Sequence, residues 1–304
     1  MLPLLSLTFE VQQQQDLLLP HHAGSMLRGA FGTALRRLAC ITRQDNCKTC
    51  PLYRCCAYVQ LFETPVPVSH QSNAPLQVVN PYVIKAPPMG KRLIGAGQTW
   101  HFGMTLMGAG IDQLPLVTYA WREACERGFG KHQNQAQLLA VYQANTRLYQ
   151  HDQQFVMPRV EQVSVPVLGQ QVQLCFSTPL RLQHEGHVIL RAKQLSASLL
   201  LMALAKRVQR MADLHTPDAP QLDFAALKEA SLQVGVDYHL TRDRLLRYSN
   251  RQNQSMDLQG LVGDIFLHGD LTPFAMLLAL GEQIHVGKSA TFGLGQYRLQ
   301  FVEK

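Results

Sequence analysis

Two kinds of periodicity follow one another in this chain, and their order limits what it can fold into. Leu4 to Val11 alternates apolar and polar side chains, the pattern of a strand with one buried face. After a connector, Pro20-His21-His22-Ala23-Gly24, the apolar residues Leu27, Ala30, Phe31, Ala34, Leu35 and Leu38 recur at helical spacing from Met26 to Leu38. Ser25 stands where an N-cap is expected. A strand and an amphipathic helix this close in sequence bury their apolar faces against each other, so a sheet covered by helices is expected.

The alternation continues along the chain. Pro65 to Pro88 is proline-rich and reads as loop, with Leu76–Val79 and Tyr82–Ile84 as short strands at most. Gln98 to Leu106 alternates as a strand, Leu114 to Arg127 reads as a helix ending at Gly128, and Gln137–Tyr142 closes the first half. A domain boundary is expected within Tyr149–Val167, giving domains of residues 1–160 and 161–304. In the second half Val172–Phe176 is a strand and Leu180–His187 a turn. Gln194–Met211 is a long helix with Lys206, Arg207 and Arg210 in its last turns, where cations suit the helix dipole. Leu222–Leu232 is a shorter helix, and Tyr238–Tyr248 pairs with Leu258–Leu267. Pro273–Ile284 is the last helix and Gly295–Val302 the closing strand. The expected fold is α+β: two tandem ferredoxin-like (RRM-like) domains, with a Cys-rich insertion over residues 40–62 in the first.

Lys and Arg number 28 against 21 Asp and Glu, and the resulting +7 suits a polyanionic partner. No apolar run is long enough to span a membrane, and the opening Met1-Leu2-Pro3-Leu4-Leu5 lacks the basic region of a secretory signal. The expected location is cytoplasmic, where thiols stay reduced. Of seven cysteines, five lie close together: Cys40, Cys47, Cys50, Cys55 and Cys56. Thiolates at these spacings can close a tetrahedral zinc site or hold an iron–sulfur cluster. A set of partly buried thiols without metal satisfies the same pattern. Cys40, Cys47, Cys50 and Cys56 are the expected ligands, in a structural role. Such a metal would staple Cys40–Phe62, a stretch read as having little apolar surface of its own.

Near the end, His285-Val286-Gly287-Lys288-Ser289-Ala290-Thr291-Phe292-Gly293-Leu294-Gly295 links a helix-like segment to a strand-like one. The backbone at Gly287, Ser289, Gly293 and Gly295, with the charge of Lys288, would suit a phosphate. A tight turn before the last strand would need the same glycines. The loop is neither a Walker motif, which has a different spacing, nor a dinucleotide fingerprint, which follows a strand and precedes a helix.

Arg247-Tyr248-Ser249-Asn250-Arg251-Gln252, Gly260-Leu261-Val262-Gly263, Leu280-Gly281-Glu282, His285-Val286-Gly287-Lys288 and Phe292-Gly293-Leu294-Gly295 together resemble the C-terminal signature of the CRISPR-associated RNA-processing endoribonucleases of the RAMP superfamily. Leu27-Arg28-Gly29-Ala30-Phe31-Gly32, the cysteine cluster, Leu61-Phe62-Glu63 and Pro81-Tyr82-Val83 resemble that family's first half. The resemblance implies metal-independent cleavage of CRISPR precursor transcripts within each repeat, with no catalytic cofactor. A ribose 2′-OH attacks the adjacent phosphate and leaves a cyclic phosphate and a free hydroxyl. It implies a structured repeat RNA as partner, and other CRISPR effector subunits as further candidates. The alternative is a related RAMP subunit that holds guide RNA without cutting it. A third reading is a scaffold whose metal cluster matters and whose charge is incidental.

Members of this family differ in where the catalytic histidine sits. His22, at the junction of the first strand and helix, matches its position in several relatives, with His21 beside it. His22 and His285 are expected to share the proton transfers, with Lys288 offsetting the charge of the phosphorane. Arg247 and Arg251 are expected on phosphates and Tyr248 on a base. Arg28 and Arg36 form either a basic ridge for RNA backbone or a solvated helix face. Arg242 and Arg244 read equally well as partners of nearby carboxylates.

Overall fold

The computed structural model describes residues 2–67, 78–150, 155–160, 162–216, 220–244, 246–249 and 254–301. The chain divides into two compact units: Met1–Glu161 with Arg210–Ala219, and Gln162–Gln209 with Pro220–Lys304. Among the described residues, no helix is long and apolar enough to cross a membrane.

The first unit runs β1 (Leu4–Gln13), β2 (Leu17–Leu19), α1 (Gly24–Ala39), α2 (Ala57–Phe62), β3 (Tyr82–Lys85), β4 (Arg92–Ile94), β5 (Thr99–Met107), α3 (Leu114–Arg127), β6 (Ala136–Gln143) and β7 (Thr146–Gln150). Its antiparallel sheet has the order β3-β5-β1-β6-β7. Without the added edge strand β7 and the small β2/β4 ribbon, this is the ferredoxin-like arrangement. The apolar faces meet in an aromatic core. Trp121 of α3 lies 4.5 Å from Phe102 of β5, 5.5 Å from Phe9 of β1 and 5.1 Å from Phe31 of α1, centroid to centroid. Such pairs add about 0.5–1.5 kcal/mol each beyond their buried area. The stretch expected to lack apolar surface ends in α2, whose Tyr58, Val59 and Leu61 are buried in this core. That correction follows from a helix too short for periodicity to reveal.

The second unit runs β8 (Gln171–Leu180), β9 (Gln183–His184), β10 (His187–Val188), α4 (Ala197–His215, of which the residues from Arg210 on belong to the first unit), α5 (Phe224–Leu232), β11 (Gly235–Asp243), β12 (Leu246–Ser249), β13 (Gln254–Asp257), β14 (Gly260–His268), α6 (Ala275–Ile284) and β15 (Tyr297–Phe301). Its main sheet has the order β11-β14-β8-β15, the same topology again. The fold is thus α+β with two ferredoxin-like domains. Two helix starts in this unit carry side-chain caps. Ser196 Oγ accepts from the Leu199 amide at 3.1 Å ahead of α4, and Asp223 accepts from the amides of Ala225 and Ala226 at the start of α5. One expected strand divides: β11 ends at Asp243, and β12 pairs with β13 in a separate hairpin.

Candidate functional site

His22 sits in the connector ahead of α1, half-buried, and does local work there. Its Nδ1 accepts the Gly24 N–H at 3.0 Å. This bond replaces the expected Ser25 cap: the helix begins at Gly24, and Ser25 lies within it. An Nδ1 that accepts carries no proton, so the neutral ring holds its proton at Nε2. In this state Nε2, itself buried, can donate a hydrogen bond and cannot receive a proton. His21 is exposed, and its carbonyl accepts from the Gly90 amide at 2.8 Å.

The arginines of α1 are engaged within the first unit. Arg28 places its guanidinium 4.0 Å from the Phe62 ring centroid, near the hydroxyl of buried Tyr82. Arg36 donates to the carbonyls of Gln44 and Asp45. The expected basic ridge is therefore built into the packing of α1 against α2 and the cysteine segment. Cys40, Cys47, Cys50 and Cys56 line one pocket beside Arg36's helix, while Cys55 is exposed.

In the second unit the glycine loop closes on itself. The amides of Val286, Lys288, Phe292, Gly293 and Gly295 donate to the carbonyls of Gly295, Arg181, Ser289, Ala290 and Pro179. These donors are committed to the turn and are not a bare concavity for an anion. Glycine is needed for approach: a Cβ at Gly287 would meet the Arg181 carbonyl at 2.7 Å, and at Gly295 the Val286 carbonyl at 1.8 Å. Gly293 and Ser289 both adopt left-handed backbone.

His285 at the head of this loop has φ 59 and ψ 171, a conformation that costs a residue with a Cβ roughly 1–3 kcal/mol. Its side chain is 0% exposed. An acid or base must reach its substrate, and this ring is enclosed, so the expected proton role gives way to a structural one in this conformation. Arg207 of α4 holds the backbone there. Its Nε donates to the carbonyls of Ile284 and His285 at 3.0 and 2.9 Å, and Nη2 donates to Ile284 at 2.8 Å. Burial pushes the guanidinium down to about 10, so it stays charged at neutral pH against the negative end of the α6 dipole.

Lys288 is half-exposed, and among the described residues no carboxylate pairs with it. Arg181, which follows β8, joins it: Nη1 donates to Ser289 Oγ at 3.2 Å and Nε to the Gln259 carbonyl at 2.9 Å. Arg242 reaches the side chain of Gln259 rather than the expected carboxylates. No spacing rule could have found Arg181, whose partners are 78 and 108 residues away in sequence. Arg247 and Tyr248 lie on β12, opposite Met256 and Ser255. Their side chains, and Arg251 altogether, lie outside the described residues.

A family model described as an N-terminal domain matches residues 2–162, and one described as CRISPR-associated endoribonuclease Cas6 matches residues 174–297. No curated protein matches the chain. Among solved structures, a Thermus thermophilus Cas6 gives a TM-score of 0.58 at 15% identity, with 99% of each chain covered. A Cas6 product complex gives 0.56 at 18% identity, over 99% of this chain and 100% of the other. A partial Cas6-RT-Cas1–Cas2 complex gives 0.58 at 15% identity, over 100% of this chain and 47% of the other. At such identities these likenesses carry the fold. The chain thus carries a domain of the CRISPR-associated endoribonuclease Cas6 family over residues 174–297, preceded by the matched N-terminal domain.

Proposed function

We propose that this chain cleaves CRISPR precursor transcripts within the repeat, releasing mature guide RNAs without a catalytic metal. The ribose 2′-OH loses its proton and bonds to the adjacent phosphorus, the bond from phosphorus to the 5′ oxygen breaks, and that oxygen gains a proton. The products are a cyclic phosphate and a 5′-hydroxyl. The observation that carries the reading is the match of residues 174–297 to the Cas6 endoribonuclease family model, joined by the His22 imidazole held through Nδ1 at the start of α1. To protonate the leaving 5′ oxygen, this ring must first gain a proton at Nδ1, releasing the Gly24 amide, and bring its buried Nε2 to the RNA. Alignment of the 2′-OH by the folded RNA supports the attack. Lys288 and Arg181, side by side at the glycine loop, suit RNA phosphates.

The test is single-turnover cleavage of repeat RNA from the protein's own locus, in excess EDTA, beside a copy with a 2′-deoxy residue at the cut. Cleavage of the first RNA alone is expected. His22→Ala is expected to slow it by about 10²–10⁴-fold with RNA affinity retained. Wild-type rates in His22→Ala would remove His22 from the chemistry. Tight binding with no cleavage of either RNA would make the chain a guide-RNA-holding subunit.

A further inference from the structure

We infer that Cys40, Cys47, Cys50 and Cys56 bind one zinc ion as four thiolates, a structural site that ties the cysteine segment to the first unit. Three short pieces of backbone each present thiols to the same pocket. Cys40 is the C-cap of α1, its amide donating to the Arg36 carbonyl. Cys47 and Cys50 begin and end a single 3₁₀ turn, closed by the Cys50 amide on the Cys47 carbonyl at 3.1 Å. Residues three apart eclipse in such a turn, so both thiols fall on one side. Cys56 is the N-cap of α2 and packs with Cys47 against the core.

The donors around these sulfurs fit thiolates. Thr42 Oγ1 lies 3.3 Å from Cys50 Sγ. Arg36 stands near Cys40 and Cys47, where a cation offsets the net negative charge of a zinc with four thiolates. Cys55 does not share this setting: it is exposed, and its thiol turns to the Leu52 carbonyl at 3.5 Å. The segment adds little core of its own, since no residue from Cys40 to Cys56 is fully buried. Small elements without a core commonly depend on such staples.

Among the described residues, no group of three or more His, Cys, Asp or Glu is arranged to hold a metal ion as it stands. The inference therefore includes a closure of the four side chains, with loss of their protons, when the ion binds.

The full-length chain, purified without chelator, is expected to carry about one zinc per chain by mass spectrometry. Replacement by Co²⁺ is expected to give the thiolate charge-transfer and strong visible bands of a tetrahedral sulfur site. Cys55→Ser should keep the metal; Cys50→Ser and Cys56→Ser should lose it. A folded, metal-free wild-type protein that also fails to take up Co²⁺ would overturn the site. So would equal loss in Cys55→Ser, or an iron–sulfur chromophore in anaerobically purified protein. If the ligand variants do not fold, the wild-type cobalt spectrum still decides. None of these readouts depends on RNA cleavage.

Discussion

Gly295 and Gly29 are the same residue under opposite constraints. Gly295 has φ 67, and an added Cβ would stand 1.8 Å from the Val286 carbonyl; Gly29 is an exposed position of α1 with nothing within 4 Å. Gly29→Ala is expected to stabilise the protein by about 0.5–1 kcal/mol through helix propensity. Gly295→Ala is expected to cost more than about 1 kcal/mol. Denaturant midpoints of the two variants moving in the same direction would contradict this account. His215 carries a pH dependence. It is buried, with Nε2 2.8 Å from the Val79 carbonyl, and burial lowers its proton affinity below the ordinary value of 6.5. The unfolded chain therefore takes up this proton at a higher pH than the folded one. Its share of stability is intact above 6.5 and is lost as pH falls from there through the folded value. Melting midpoints should drop between about pH 7.5 and about pH 5.5, and His215→Gln should flatten that slope.

At the scale of elements, the join between α6 and the last loop depends on α4. Arg207 reads in the sequence as one of several cations near a helix end. In the fold its side chain is buried and forks onto two carbonyls at the end of α6. Arg207→Met leaves those carbonyls without their donor and is expected to cost about 1–3 kcal/mol. Arg207→Lys should recover little of it, because an ammonium cannot reproduce the fork. A wild-type midpoint for Arg207→Met in denaturant would show that the clamp is not holding the loop. Element boundaries were legible where apolar spacing was long and regular, as in α1, α3 and β5. They failed where hydrogen-bond pairing decides. Tyr238–Tyr248 reads as one strand, yet the chain leaves the sheet after Asp243, because β14 ends opposite it at Gly260. The β2/β4 ribbon and α2 are too short to show a period.

At the scale of the molecule, the amino-acid sequence by itself determined the repeated order of strands and helices, the α+β class and the family likeness. These rest on local periodicity and on contiguous motifs, which need no knowledge of what lies across the sheet. The basic charge was readable in the same way. Only the tertiary structure decided what the individual side chains are free to do. Arg28 and Arg36 look solvent-facing by helical phase, but α2 and the cysteine segment fold back over that face and occupy them. The glycine loop looks like a phosphate cradle, but five of its amides, those of Gly293 and Gly295 among them, are spent on carbonyls of Pro179, Arg181 and the loop itself. His285 borders that loop in sequence and is enclosed in space. Arg181 is drawn to Ser289 from the far end of the unit. Accessibility and hydrogen-bond commitment depend on which distant segments pack together, and no local pattern along the chain encodes that.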